Sequence, residues 1–271
     1  MKFLFWNIHK NNNIYDKIAC LAVSEEIDVL MLAEFNGKPS ELLLELNKDE
    51  TRYNYLNDEL CDKIHVFVTT PKLISAIYDS PRYTVKSIKS PILGWESINL
   101  VVLHYPSKSY WSADDQSAHA PELKSAIEKI EDKQGHKRTI VCGDFNMNPF
   151  EKGMVQHLGF HAVMEKEIAQ RRIRTVSNKE YHFFYNPMWG FLGDLGRGKV
   201  SGTMYYNPAN PIVYYWNLYD QVLIRPDLIN YFNDVGLDIV TQIGSTNLLT
   251  QGKRINKEIS DHLPIKFELN I

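Results

Sequence analysis

TIVCGDFNMNP, residues 139–149, is the most informative stretch of this chain. Thr139 to Gly143 is apolar and β-branched, which suits a buried strand. Asp144 then arrives at the strand's end, where a carboxylate can bind a hard cation or activate water. Asn146, two residues on, carries an amide that donates to a phosphoryl oxygen or accepts from a bound water. Taken alone, Asp and Asn at this spot also describe an ordinary turn.

The same pattern recurs outward from that stretch. KFLFWNI opens the chain as an apolar strand ending at Asn7, and IDVLMLAEF is a second one ending at Glu34. INLVVLH ends at His104, and SDHLPI places Asp261 and His262 just ahead of a final strand at Ile265–Asn270. NLYDQVLI opens a strand with Asp220, a carboxylate able to fix the tautomer and charge of His262. If these strand ends lie along one edge, the groups converge on one mouth held by rigid elements. Helices are expected at 16–26, 40–46 and 120–131, the last with Pro121 in its first turn. Further strands are expected at 63–69, 73–78, 83–88, 181–185, 203–206, 218–225 and 239–243. Numerous strands with a few intervening helices imply two packed sheets with helices outside.

Bulk properties narrow the function. A chain of 271 residues with 44% apolar content supports one sizeable α/β domain, here 1–271. A net charge of −3 gives no global field to draw in nucleic acid or an acidic membrane. A metal and a local basic groove still receive phosphates on such a protein. Three cysteines without ligand spacing imply free thiols and a cytoplasmic setting. The apolar run at Met1–Trp6 stops too soon for a signal peptide, and no stretch is long enough to cross a bilayer. No protein partner is implied.

In chain order, Trp6–Asn7, LAEF with Glu34, LHYPSK with His104, GDFNMNP, YDQVLI with Asp220 and SDHLPI together resemble the endonuclease/exonuclease/phosphatase superfamily, with the DNase I-like fold. That resemblance implies a four-layered α/β sandwich, two mixed sheets between helices. It implies Mg²⁺ or Mn²⁺ and hydrolysis of a phosphate ester, most readily a phosphodiester of DNA or RNA. Glu34 would be the principal metal ligand, with Asn7 and Asp261 beside it. Asp144 would orient or deprotonate the attacking water, Asn146 hold the phosphate, and His262, paired with Asp220, stabilise the transition state. His104 would act toward the leaving oxygen, and Asp62 is the candidate acid to face it. The aromatic stretch 185–216, with Arg197 and Lys199, is a candidate substrate-binding surface, and QRRIR at 170–174 is a local basic patch. The competing functions are a phosphatase or phosphodiesterase for a small phosphorylated molecule or lipid headgroup, and a binding module without catalysis.

Overall fold

Two mixed sheets pack face to face in the computed structural model, which describes residues 1–58 and 60–271. The six-stranded sheet runs Phe232–Ile239, Ile265–Leu269, Lys2–Asn7, Val29–Ala33, Ile64–Val68, Asn54–Leu56. The seven-stranded sheet runs Ile74–Ser80, Tyr83–Lys89, Ser97–His104, Thr139–Asp144, Asp220–Ile224, Phe184–Tyr185, Ala162–Val163. Parallel strands need long crossovers. Helix Tyr15–Ser24 supplies one between Lys2–Asn7 and Val29–Ala33, and helix Ala113–Gln134 another between Ser97–His104 and Thr139–Asp144.

Alternation along the strands positions the chemistry. Leu100 and Val102, Ile140 and Cys142, and Ile224 and Val222 face the core between the sheets. Val101 and Leu103, Val141, and Leu223 face outward into a second core under helix Ala113–Gln134. Two residues beyond the inward sets stand His104, Asp144 and Asp220, and pairing aligns all three across neighbouring strands: His104 with Asp144, Asp144 with Asp220. A period of two therefore carries three reactive groups to the inner face in one row. Gly143 is required here. A Cβ on it would lie 2.0 Å from the Leu103 carbonyl oxygen, and its φ is +150°.

Several elements differ from the sequence reading. The helix expected from residue 120 begins at Ala113, capped by Ser112 in a reciprocal box with Asp115, and Pro121 lies inside it. Proline removes the N–H that would serve the Ser117 carbonyl. Gln156 Nε2 takes its place at 2.8 Å, and the Tyr105 hydroxyl donates to the neighbouring Gln116 carbonyl at 2.9 Å. The strand expected at 239–243 is displaced: Ile239 ends the strand Phe232–Ile239, and Gln242–Ile243 forms a small hairpin with Thr246–Asn247. The 181–185 strand divides at Phe183. Lys179–His182 pairs with Ile173–Val176, while Phe184–Tyr185 joins the large sheet.

Candidate active site

The buried centre of the site is a charge relay of contacts. Asp220, wholly buried, accepts a 2.7 Å hydrogen bond from His262 Nδ1. Asp144, 1% exposed, holds its Oδ2 3.9 Å from His262 Nε2 on the other side of the ring. Burial opposes a charged imidazole, but the Asp220 carboxylate, then that of Asp144, outweighs it and pushes the His262 pKa up to about 10. Burial also raises Asp220, and the adjacent imidazolium opposes that rise. At neutral pH the His262 ring is therefore an imidazolium, bonded to Asp220.

The surrounding backbone fixes this geometry. His262 N donates to Ser260 Oγ at 3.1 Å, Ser260 Oγ donates to the Asn7 carbonyl at 2.8 Å, and Trp6 Nε1 donates to the His262 carbonyl at 2.9 Å. Asp220 N donates to Thr203 Oγ1 at 3.1 Å. Ser260, Trp6 and Thr203 had been given no role in the sequence reading. Ser260 offered a signal, a hydroxyl two residues ahead of His262 in an ST-turn spacing.

Asn146 adopts φ +51° in a loop buried throughout. Its N–H donates to Asp144 Oδ1 at 2.8 Å and its Nδ2 to the Tyr105 carbonyl at 2.9 Å, leaving one amide hydrogen uncommitted. Gln116 Nε2 and Gln221 Nε2 tie the carbonyls of Asn146 and Met147. DFNMNP is therefore a clamped element, held by side chains far away in sequence.

Asn7 joins the two sheets. Its Nδ2 donates to Asp144 Oδ2 at 3.1 Å and approaches Glu34 Oε1 at 3.4 Å. Glu34, at φ +51°, has its carboxylate 22% exposed, with His104 Nε2 3.5 Å from Oε1. That histidine nitrogen is also 3.7 Å from Asp144 Oδ2. Asp62 does not face His104: its side chain is 77% exposed and lies beside Lys63. Glu34 and Asp144 hold that place. Asp261 Oδ1 is buried without a hydrogen-bond partner, as are Asp220 Oδ1 and His104 Nδ1. Buried polar atoms are nearly always paired, so three orphans around one mouth mark a place built for something else.

Arg197 is not brought to this mouth. Its guanidinium lies over the Phe191 ring and donates to the Asp234 carbonyl. Asp234 belongs to the strand whose Asn233 pairs with Glu268, level with Lys2 at the far end of the sheet from Asn7. Lys199 is exposed. Arg171 and Arg172 of the basic patch line a cavity of about 400 Å³ with Lys137, His182 and Arg225, where Arg225 follows the opposite end of the Asp220–Ile224 strand.

Among the described residues, Asp144, Asp220 and His262 have donor atoms within 4.8 Å of one another. They form a poor cation site, because an imidazolium has no free lone pair and Nδ1 is committed to Asp220. Glu34 and Asp261 fit a hard divalent cation better: both offer carboxylate oxygens, and one of these is orphaned.

Solved structures share this architecture. The endonuclease domain of TRAS1, a telomere-specific non-LTR retrotransposon, matches at 14% identity and TM-score 0.55, covering 100% of this chain and 98% of that one. A humanised TDP2 from D. rerio matches at 14% identity and TM-score 0.56, covering 100% and 99%. The 3′ phosphatase NExo from Neisseria, bound to a product DNA hairpin, matches at 11% identity and TM-score 0.57, covering 100% of both chains. At these identities the likeness is one of fold. A search of curated protein sequences returns no match. Residues 4–262, spanning every group described above from Asn7 to His262, match the model of the Endonuclease/Exonuclease/phosphatase family, and the chain belongs to that family of phosphoric ester hydrolases.

Proposed function

We propose that this chain, acting as one domain over residues 1–271, is a divalent-metal-dependent phosphodiesterase that cleaves nucleic acid or nucleotides. The observation that carries the reading is the row His104–Asp144–Asp220, with His262 held charged by Asp220 at 2.7 Å and opening toward Glu34 and Asp261. A phosphodiester resists water because its anionic oxygens repel the nucleophile and its leaving oxygen is basic.

Glu34 and Asp261, with Asn7 beside Glu34, would hold Mg²⁺ or Mn²⁺, which when bound offsets phosphate charge and fixes the phosphate's position. Asp144 aims and deprotonates the attacking water. Asn7 and the Asn146 N–H occupy its other lone pairs and fix its rotamer. The His262 imidazolium stabilises the charge that grows on a non-bridging oxygen, and Asp220 keeps the ring charged and oriented. The free amide hydrogen of Asn146 holds a second phosphate oxygen. His104, facing both Glu34 and Asp144, delivers a proton toward the leaving oxygen.

A nucleic-acid substrate is supported by the hairpin Met204–Tyr206 with Tyr215–Asn217. Met204 bridges to His262, and the exposed rings of Tyr206, Tyr214 and Tyr215 offer stacking faces near the site. DNA in the NExo complex and the endonuclease activity named for TRAS1 point the same way. The free cysteines Cys20, Cys61 and Cys142 suit a cytoplasmic setting, and no described helix is long and apolar enough to cross a membrane.

The test is turnover by the purified protein, with Mg²⁺ and with Mn²⁺, of plasmid DNA, single-stranded DNA, RNA, bis-p-nitrophenyl phosphate and phosphomonoesters. Metal-dependent cleavage of a nucleic acid is the expected result. Cleavage of monoesters alone would move the assignment to a phosphatase, and no turnover at all would leave a binding module.

A further inference from the structure

The basic stretch QRRIR, residues 170–174, has no part in the catalytic scheme, and it lies beside a buried histidine that also has none. His161 is 1% exposed, takes a left-handed φ of +51°, and its Nε2 has no hydrogen-bond partner. Burial, then the charge of Lys124, lowers its pKa to about 4, so the ring is neutral at pH 7. Its Nδ1 lies 3.3 Å from the His182 carbonyl oxygen. A carbonyl only accepts, so Nδ1 carries the proton and Nε2 is a bare lone pair. Ala162 pairs with Phe184, and Tyr185 with Ile224, so His161 stands at the Arg225 end of the large sheet, away from Asp220 and His262. There it forms part of the wall of a cavity of about 370 Å³. Val155, Ile168 and Phe183 give that cavity apolar sides, and Arg171 and Arg174 bring two exposed guanidinium groups to it. Arg172, between them, is paired with Asp227, whereas Arg171 and Arg174 have no carboxylate partner among the described residues.

We propose that this cavity is a second, non-catalytic binding site for a phosphomonoester with an apolar or aromatic body, of the mononucleotide class. Its lining sets three demands. The ligand must accept hydrogen bonds from two guanidinium groups, donate a proton to Nε2 of a neutral imidazole, and lay an apolar body against Val155, Ile168 and Phe183. A metal cation meets two arginine charges, and a sulfate has no proton to give. A phosphate monoester in its monoanionic form meets all three demands, with two oxygens for the arginines and a P–O–H for His161. The volume falls within the roughly 300–1,000 Å³ of small-ligand pockets. The site goes beyond the metal-dependent reading above and does not rest on it.

The experiment uses the full chain with ¹⁵N-labelled histidine, at pH 7 in EDTA, titrated with adenosine monophosphate, ribose 5-phosphate, inorganic phosphate and adenosine. The ring resonances of His161 are assigned by their absence from His161→Asn, a variant that tolerates the positive φ. Adenosine monophosphate should move the His161 Nε2 signal upfield from the position of a bare lone pair, ribose 5-phosphate and phosphate should do so more weakly, and adenosine not at all. The double variant Arg171→Gln with Arg174→Gln, both exposed positions, should weaken adenosine monophosphate about tenfold or more, and His161→Asn roughly tenfold. A titration that shifts the His262 ring and leaves His161 in place would overturn the inference, because the ligand would then sit in the active site. So would unchanged affinity in the double arginine variant, or an equal response to adenosine. Metal-dependent turnover is measured separately, and none of these outcomes bears on it.

Discussion

One strand, Asp220–Ile224, has a buried ionic contact at each end, and the two ends are built differently. Beyond the last residue, Arg225 is fully buried, and each of its guanidinium nitrogens has a partner. It makes two bonds to Glu131, at 2.8 and 2.9 Å, and a third to the Phe183 carbonyl at 3.1 Å, with the Phe184 ring 3.8 Å from its guanidinium carbon. At the first residue, Asp220 makes one strong bond to His262 and leaves Oδ1 unpaired, and further orphans stand nearby on Asp261 and His104. The Arg225–Glu131 pair is a structural joint, whereas the orphans clustered at the Asp220 end mark a place kept ready for chemistry.

The two ends should break in opposite ways. At the open end, Glu34→Ala, Asp144→Asn and His262→Ala should each lower kcat/KM on the order of 10³-fold or more; urea midpoints should stay level with or above the parent for Glu34→Ala and Asp144→Asn and fall for His262→Ala, which leaves Asp220 buried without its partner. Asp220→Asn should cost roughly 10²–10⁴-fold in kcat by misplacing the imidazole proton. Full activity in any folded variant removes that residue from the scheme. At the closed end, Glu131→Ala should cost about 3–5 kcal/mol in urea unfolding while turnover per folded molecule is kept, and Arg225→Met with Glu131→Leu should recover most of it. A large activity loss in folded Glu131→Ala would erase the contrast.

Acid probes the closed end further. His161 is 1% exposed, its Nε2 has no partner, and burial, then Lys124, pulls its pKa down to about 4. Its unfolded form titrates near 6.5, so between pH 6.5 and 4 the unfolded chain binds the extra proton. The stabilisation is full above 6.5 and is lost as pH falls through that window, by about 2–3 kcal/mol. Denaturation midpoints should show that slope, and His161→Asn should flatten it. The smallest effect concerns the long helix. Gln156→Ala should cost about 1 kcal/mol by stranding the Ser117 carbonyl, and adding Pro121→Ala should return most of it by restoring the helical N–H.

These contrasts also separate what could be read in the chain from what could not. His104, Asp144 and Asp220 were legible because each extends a period-two apolar series by one more step on the same face. Glu34 and His262 were legible as polar groups hard against apolar runs. Pairing partners were not legible: Ser260 with Asn7 and Trp6 with His262 join residues at opposite ends of the chain, and no local pattern encodes that. The helix start was missed because Pro121 suggested a first turn, while the capping signal lay earlier at Ser112 and Asp115. Lys86, in YTVKSIK, looks solvent-bound. It lies inside, paired with Asp58, and burial lowers its pKa to about 8. Arg197 had aromatic surroundings as its only recommendation, and those surroundings proved to be Phe191 at the far end of the sheet.

The contact of Trp6 with His262 has a consequence in time. The first strand supplies Asn7, yet it is bordered by Ile265–Leu269, and the imidazole it fastens arrives more than two hundred residues later. A growing polypeptide on the ribosome that has not reached residue 262 holds neither the charged ring nor the strand that seats it. The centre around His262 therefore closes only once the chain has been made past residue 262, when two segments far apart in sequence meet.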